Sequence, residues 1–365
     1  MITVSFADRT CVCAAAGVAA SRPRLVIVLL RAERGIHPII RRIDSWRYRN
    51  GNSPITWNRE SITVDHPGFP LPNGAAARFR RDGYVVIPSV FSPSKIDEVK
   101  AALLRDVDSG IGPDGARRRL GSHGLPKQAA AYPAARELMF SDSVIAIVTQ
   151  LLDHQPIYFG DSSVNYGAGY TGWHKDNRVS DRHDGGTPDW EGDYDLIRVG
   201  IYLQDCAKHS GGLLVRAGSH NDAPHLPGWA RDGQGRLTTV ARRANAFRSR
   251  FYGKARFVAS RKSDIVVWTL RTTHAGHAVR IKRVPNLLLD PRVQQVIPKF
   301  LQVPVDGTRV AIFATFARPG SHYARYREYL ISRDYFVNRP FMSVREFIPS
   351  AVTVDELRYS PPPIG

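Results

Sequence analysis

The stretch IRVGIYLQDCAKHSGGLLVRAGSH, residues 197–220, contains two short strand patterns separated by a polar loop. In the first pattern Ile197, Val199, Ile201 and Leu203 recur at every second position, which is the period of a β-strand. Gly, Asp and Ser bound both patterns, as is typical of strand ends. The stretch therefore predicts two strands that follow one another along the chain, and not a helix.

Similar patterns stand on both sides of this stretch. They are IYFGDSSVNYG at 157–167, SDIVVWTL at 263–270 and TRVAIFATFA at 308–317. No helical segment alternates with these strands, so the series predicts an antiparallel sandwich or barrel. Helices are expected from the part of the chain that precedes residue 155.

The N-terminal half contains the helix signals. After the short strand YVVIP at 84–88, Ser92 is a candidate N-cap and Pro93 occupies the first helical turn. A second helix is expected to begin at Ser141 or Asp142. Residues 1–74 are basic and lack clear periodicity, so the predicted organisation is an extension at 1–74, one domain at 75–345 and a tail at 346–365.

Two insertions interrupt the strand series, at about 221–262 and 281–306. The second contains DPRVQQVIPKFL, a predicted short helix with Asp290 as its cap and Pro291 in its first turn. Between Arg236 and Lys299 there are 15 basic and 2 acidic residues, a net charge of +13 out of +18 for the whole chain. Such a basic block favours anionic partners, although a solvated loop is the simpler interpretation.

Composition excludes several classes of protein. With 43% hydrophobic residues and no apolar run of about 18 residues, the chain is predicted to be globular and without a membrane span. Three cysteines, Cys11, Cys13 and Cys206, are too few for a disulfide framework. Arg22 and Arg24 interrupt the apolar N-terminal material, so no signal peptide and a cytoplasmic location are expected.

The stretch GWHKDNR, residues 172–178, contains a candidate half of a metal site. Residues two apart on a strand point to the same face, so His174 and Asp176 could offer a nitrogen and an oxygen to one ion. A second triplet, His220-Asn221-Asp222, has the same spacing, but it lies at a glycine-bounded strand end and predicts a turn. The spacing alone does not distinguish the two.

A later strand supplies the second histidine. In SDIVVWTLRTTHAGHAVR a strand continued at period two places His274 on the same face as Val266 and Trp268, whereas His277 has the opposite parity. Two histidines and one carboxylate on one face leave three coordination positions open, as in non-haem Fe(II) oxygenases.

In this order the motifs RFRRDGYVVIPSVFS, WHKD, RVGIYLQD, SGGLLVRAGSH, DIVVWTLRTTHAG and RVAIFATFA resemble the phytanoyl-CoA dioxygenase family, over residues 78–320. The resemblance implies a mainly β fold with flanking helices and a double-stranded β-helix core, jelly-roll or cupin-like. It also implies Fe(II) bound by His174, Asp176 and His274, with 2-oxoglutarate and O2 as co-substrates.

The family further implies an arginine that opens the strand after the distal histidine and binds the far carboxylate of 2-oxoglutarate. Arg309 matches that position; Arg280 and Arg283 are nearer to His274 but precede VPNLLLDP, which does not have the required strand pattern. Gly276 is a departure, because relatives often carry a hydroxyl side chain two residues after the distal histidine that touches the co-substrate.

The resemblance implies hydroxylation of a small molecule, with release of succinate and CO2. The basic block favours an anionic substrate. Desaturation or cyclisation would use the same oxidant. Two other hypotheses stay open: an oxygenase acting on nucleic acid or protein, and a β-barrel binding protein without catalysis. Nucleic acid is the less favoured partner because the basic stretch has few aromatic residues for stacking: Phe247, Phe251, Tyr252, Phe257 and Trp268. The sequence identifies neither the substrate nor the oligomeric state.

Overall fold

The computed structural model describes eleven segments of the chain: 2–6, 9–13, 69–108, 125, 128–167, 171–176, 178–179, 187–188, 195–221, 254–331 and 348–355. The chain divides into two compact units, Met1–Ile55 and Thr56–Gly365. In the first unit the described residues form one antiparallel hairpin of β1 (Ile2–Phe6) and β2 (Arg9–Cys13). The boundaries at 74/75 and 345/346 stay predictions.

Four helices lie on the N-terminal side of the strand series. They are α1 (Ala75–Asp82), α2 (Pro93–Asp108), α3 (Pro133–Met139) and α4 (Asp142–Leu152). Two of them begin where the sequence predicts, because Ser92 Oγ accepts the Lys95 N–H and Ser141 Oγ accepts the Val144 N–H. These N-cap bonds satisfy backbone donors that the first helical turn leaves unpaired.

A six-stranded sheet forms the larger part of the β core. Its strands are β3 (Tyr84–Ile87), β4 (Ile157–Tyr166), β7 (Leu196–Tyr202), β10 (Ile265–Thr269), β12 (Val310–Ala317) and β13 (Thr353–Val354). They are arranged in the order β13-β4-β12-β7-β10-β3, and every pair is antiparallel except β13 with β4. All the strands predicted at 84–88, 157–167, 197–205, 263–270 and 308–317 lie in this sheet.

A three-stranded antiparallel sheet packs against one face of the larger one. It consists of β8 (Gly212–Ala217), β9 (Lys254–Phe257) and β11 (His274–Ala278), in the order β11-β8-β9. Side chains from both sheets share one buried cluster: Tyr202, Trp268 and Ala311 from the larger sheet, and Leu213 and Val215 from the smaller. The helices pack on the opposite face of the larger sheet. The predicted fold class, a mainly β double-stranded β-helix with flanking helices, is confirmed.

The remaining described elements are short or peripheral. They are β5 (Arg178–Val179), β6 (Thr187–Pro188), α5 (Pro291–Gln294), α6 (Ser321–Ile331) and the 3-10 turns Ala129–Ala131 and Lys299–Leu301. The helix predicted in the second insertion is confirmed as α5, with the Asp290 side chain accepting the Arg292 N–H. In the described part of the chain, no helix is long and apolar enough to cross a membrane.

One strand prediction is wrong. The sequence predicted a continuous strand from Val266 to His274, but β10 ends at Thr269 and His274 begins β11 in the other sheet. The chain turns between them because the Thr272 N–H donates to the Thr269 carbonyl and the Thr272 hydroxyl donates to the Gly83 carbonyl, at 2.7 Å. The first bond closes a tight turn, and the second attaches this turn to the residue that precedes β3.

Gly200 allows two large rings to pack inside the barrel. A Cβ at this position would lie 2.7 Å from Cζ3 of Trp268 and 3.3 Å from Cε1 of Phe313. We therefore expect Gly200→Ala to lower the free energy of unfolding by about 1–3 kcal/mol, measured by urea denaturation. Gly172→Ala is the matched control because a Cβ there meets nothing within 4 Å. Equal stabilities of the two variants would contradict this packing.

Candidate metal centre

His174 and His274 face each other across a single antiparallel β-bridge. Each donates its backbone N–H to the carbonyl of the other, at 3.0 and 2.9 Å. Side chains of directly paired residues project to the same side of the ladder, and the two imidazole centroids are 4.2 Å apart. The regular strand expected around His174 is reduced to this one bridge, which nevertheless brings the two predicted histidines together.

Backbone carbonyls fix the orientation of both rings. Nδ1 of His174 lies 2.7 Å from the Gly172 carbonyl oxygen, and Nδ1 of His274 lies 3.0 Å from that of Thr272. Because a carbonyl only accepts, each Nδ1 must carry the proton, which leaves the Nε2 lone pair available to a metal. In both cases the carbonyl belongs to the residue two positions earlier.

Asp176 completes the cluster. Its backbone N–H donates to the Leu270 carbonyl, and its Oδ1 and Oδ2 lie 3.6 Å and 3.4 Å from Nε2 of His174 and of His274. One donor atom of each of the three residues lies within 4.8 Å of the other two. Two ligand atoms at right angles and each about 2.1 Å from one metal are about 3.0 Å apart, which is close to the two separations between carboxylate and imidazole, 3.6 and 3.4 Å.

Burial keeps His274 neutral. The side chain is 5% exposed, and burial, followed by the neighbouring His174, lowers the pKa of His274 to about 4, although Asp176 opposes the shift. At neutral pH its Nε2 therefore holds a lone pair and not a proton.

This shift predicts how pH affects the metal-free protein. The unfolded histidine, with a pKa of about 6.5, binds its proton first as pH falls, so acidification between about 6.5 and 4 favours the unfolded chain. We expect His274 to make the free energy of unfolding about 2 kcal/mol lower at pH 5 than at pH 7. Urea titrations of wild type and His274→Gln measure this contribution. An identical pH dependence of the two proteins would rule it out.

A charged network that the sequence analysis missed lies behind Asp176. Nη1 of Arg198 donates to Asp176 Oδ2 at 3.0 Å, and its Nη2 donates to Asp161 Oδ2 at 2.6 Å. Burial alone would lower the pKa of Arg198, but the carboxylates of Asp161 and Asp176 outweigh it and raise that pKa above its ordinary value. The available signal was the presence of Arg198 inside the otherwise apolar strand β7, since buried charges need partners.

Arg309 immediately precedes β12, as the sequence predicted. Its side chain is 5% exposed; Nε donates to the Gly211 carbonyl at 2.8 Å and Nη1 to the Gly167 carbonyl at 3.5 Å. Among the described residues no carboxylate pairs with it. Because side chains alternate along a strand, Arg309 shares the inner face of β12 with Ala311 and Phe313.

The two rival arginines lie elsewhere. The Arg280 guanidinium stacks on the Phe257 ring at 4.4 Å and donates to the Pro285 and Cys206 carbonyls. Arg283 is exposed at a turn, with a positive φ of 60°. Neither is placed on the inner face of β12.

His220, His277 and Lys175 do not join the three-residue cluster. His220 lies in a turn, as predicted, and its Nε2 contacts the Arg80 carbonyl at 2.9 Å; Asp222 lies outside the described residues. His277 sits at the register shift of β11 with a φ of 54°. Lys175 is buried, and its Nζ donates to the Ser219 and Arg271 carbonyls. The WHKD segment is therefore not an exposed charged turn.

Gly276 makes a contact that the sequence analysis did not foresee. Its backbone N–H donates to the hydroxyl of Thr171 at 2.6 Å. The Thr171 hydroxyl, which comes from a different segment, thus lies next to Gly276, the position at which relatives often carry a hydroxyl side chain.

Comparisons with known proteins place this architecture in context. The family model described as "Phytanoyl-CoA dioxygenase (PhyH)" matches residues 79–283, more than half of the chain. Ectoine dioxygenase of Stutzerimonas stutzeri (strain A1501) is 28% identical over 164 residues, which cover 43% of this chain and 53% of that protein. The chain thus aligns with about half of the length of this curated relative.

Solved structures with a similar course of the chain include two metal-bound proteins. EctD from S. alaskensis with bound Fe is 18% identical, with a TM-score of 0.47, covering 81% of this chain and 91% of that one. HygX from Streptomyces hygroscopicus with nickel and 2-oxoglutarate is 15% identical, with a TM-score of 0.43, covering 68% and 87%.

Proposed function

The chain belongs to the phytanoyl-CoA dioxygenase family, and from this premise we propose that it is an Fe(II)- and 2-oxoglutarate-dependent dioxygenase that hydroxylates a small molecule. Succinate and CO2 would be the co-products. The observation that carries the proposal is the convergence of His174, Asp176 and His274, in which Nε2 of each histidine lies within 3.6 Å of a carboxylate oxygen of Asp176.

The donor set fits the metal. Two imidazoles and one carboxylate on one side of an ion are the facial ligand set of non-haem Fe(II) oxygenases, and they leave room for a chelating co-substrate and O2. When bound, Fe(II) with 2-oxoglutarate and O2 supplies the oxidising equivalent for C–H hydroxylation. His174, Asp176 and His274 would hold the ion, and the β-bridge between the two histidines keeps their Nε2 atoms oriented.

Arg309 is the proposed anchor for 2-oxoglutarate. A buried guanidinium whose partners in the described part of the chain are two backbone carbonyls retains an uncompensated positive charge. A carboxylate is the natural partner for such a group, because the planar fork donates to both carboxylate oxygens at once. Apolar rings border the space beside His274, since the Trp268 ring lies 5.5 Å from the His274 ring and 6.0 Å from the Phe313 ring.

The basic stretch supports an anionic substrate. Lys282 and Arg283 are exposed there, and positive surface charge attracts anionic molecules to the protein. Two of its aromatic residues are not free to stack on a base: Trp268 is buried and Phe257 lies under Arg280. Phe247, Phe251 and Tyr252 lie outside the described residues. The balance therefore favours a small molecule over a nucleic acid.

A substrate screen tests this proposal. The protein, loaded with Fe(II) and 2-oxoglutarate in air, is incubated with panels of anionic and neutral small molecules, and succinate release is measured. We expect a subset of anionic compounds to raise the rate above the uncoupled background, with product masses that distinguish hydroxylation from desaturation or cyclisation. Succinate release that no member of either panel stimulates, together with tight and salt-dependent binding of DNA or RNA, would favour the nucleic-acid alternative.

A further inference from the structure

Arg198 has no role in the reaction described above, although it contacts one of the three candidate ligands. It lies within β7 and its guanidinium uses three nitrogens at once: Nη1 for Asp176, Nη2 for Asp161, and Nε for the Thr315 hydroxyl at 3.1 Å. A planar fork held at three points cannot rotate without breaking a bond. The direction in which it donates to Asp176 is therefore fixed by the sheet.

Asp161 is in turn held by more than Arg198. Its Oδ2 accepts from the Thr315 hydroxyl at 2.7 Å and from the Tyr326 hydroxyl at 3.0 Å, and both of those residues are buried. The contributing elements are β4, β7, β12 and α6, which come from distant parts of the chain. Since each member is bonded to at least one other, the network supports Arg198 from the side opposite the metal ligands.

The network also balances charge. Arg198 lies between the carboxylates of Asp161 and Asp176 and pairs with both. The exposed fraction of the side chain is 13% for Asp161, 16% for Asp176 and 19% for Arg198. Without the guanidinium, two partly desolvated carboxylates would repel each other and Asp176 would lose its fixed rotation. Asp161 accepts a hydrogen bond from Nη2 of Arg198, the terminal nitrogen that does not bond Asp176.

We propose that Arg198, supported by Asp161 and Thr315, is a positioning residue that fixes the carboxylate of Asp176 for metal binding. Oδ2 of Asp176 accepts the Arg198 hydrogen bond, which holds the carboxylate in a single rotation beside the two histidines. This inference rests on the proposed function, because it requires that Asp176 ligates a metal.

Cobalt(II) binding tests the proposal without relying on turnover. Co(II) is stable in air at such sites, and its visible d–d absorption responds to the number and arrangement of ligands. We expect Arg198→Gln to raise the Kd for Co(II) about 10- to 100-fold and to change the d–d spectrum, because loss of an outer partner misorients the ligand. Arg198→Lys, which keeps the charge but not the three-point fork, should give an intermediate Kd.

Controls separate positioning from general damage to the fold. Arg327→Gln removes another partly buried arginine, which bonds Asp355 at 2.8 Å and takes no part in the network, and it should leave Co(II) binding unchanged. If Arg198→Gln does not fold, Thr315→Val replaces it, because this change deletes the bonds to both Arg198 and Asp161. The same rise in Kd and the same spectral change are expected for that variant.

The outcomes distinguish the two proposals. Failure of the wild type to bind Co(II) would overturn the metal centre itself. Binding by the wild type, its loss in Asp176→Ala, and a wild-type Kd and spectrum in Arg198→Gln would overturn the role of Arg198 alone.

Discussion

Asp176→Ala is expected to reduce uncoupled conversion of 2-oxoglutarate to succinate by at least about 100-fold, the largest effect that the proposed site predicts. Asp176 is the single carboxylate of the cluster, and both histidine Nε2 atoms lie within 3.6 Å of its oxygens. Without it an ion would keep two neutral nitrogen ligands and no charged one. Succinate release by wild type and variant, at saturating Fe(II) and 2-oxoglutarate, measures the effect.

A second carboxylate serves as the control for this variant. Asp97→Ala removes an exposed acid that pairs with Lys262 at 2.7 Å, and it should leave succinate release unchanged. Asp176→Ala itself should remain folded, because Asp161 still partners Arg198 at 2.6 Å. Undiminished turnover by a folded Asp176→Ala protein would mean that another carboxylate completes the metal site.

Arg309→Gln is expected to raise the 2-oxoglutarate concentration needed for half-maximal turnover by about 30- to 1,000-fold. The range corresponds to about 2–4 kcal/mol, which lies within the loss that truncating one partner of a buried, hydrogen-bonded charge pair causes. Glutamine is neutral and shorter than arginine; it can donate hydrogen bonds but cannot provide the charge or the planar fork. Titrations of 2-oxoglutarate at fixed Fe(II), followed by succinate release, give the shift.

The two rival arginines provide matched controls. Arg280→Gln and Arg283→Gln carry the same substitution at positions where the side chain stacks on Phe257 or is exposed. We expect neither to change the half-maximal concentration. If one of them reproduces the shift while Arg309→Gln does not, the anchor has been assigned to the wrong arginine.

The strands could be predicted because their pattern is local. From Ile197 to Leu203 every second residue is apolar and packs in the cluster shared with the helices, and the prediction needed no knowledge of distant residues. Ser141 and Asp290 were equally recognisable as caps, since each bonds a backbone N–H within three residues.

His274 was selected correctly as the partner of His174 in the cluster, although the supporting argument was wrong. Period two along one strand does not connect it to Val266, because the chain leaves the larger sheet after Thr269. What brings His274 to His174 is a β-bridge between segments 100 residues apart, which no sequence period encodes.

The network around Arg198 could not be predicted for the same physical reason. Its partners Asp161, Thr315 and Tyr326 belong to three other elements, and only the folded sheet brings them to one guanidinium. The sequence could indicate that Arg198 is unusual in a buried strand. The sequence could not indicate that one partner of Arg198 is Asp176, which is also a proposed metal ligand.

Anaerobic addition of Fe(II) and then 2-oxoglutarate to the purified protein tests the central claim most directly. Chelation of Fe(II) by a 2-oxo acid at an open facial site produces a metal-to-ligand charge-transfer band in the visible region. We predict that the band appears with wild type, saturates at one equivalent of Fe(II), and is absent with Asp176→Ala. Absence of the band from wild-type protein under these conditions would contradict the assignment of an Fe(II)- and 2-oxoglutarate-dependent oxygenase.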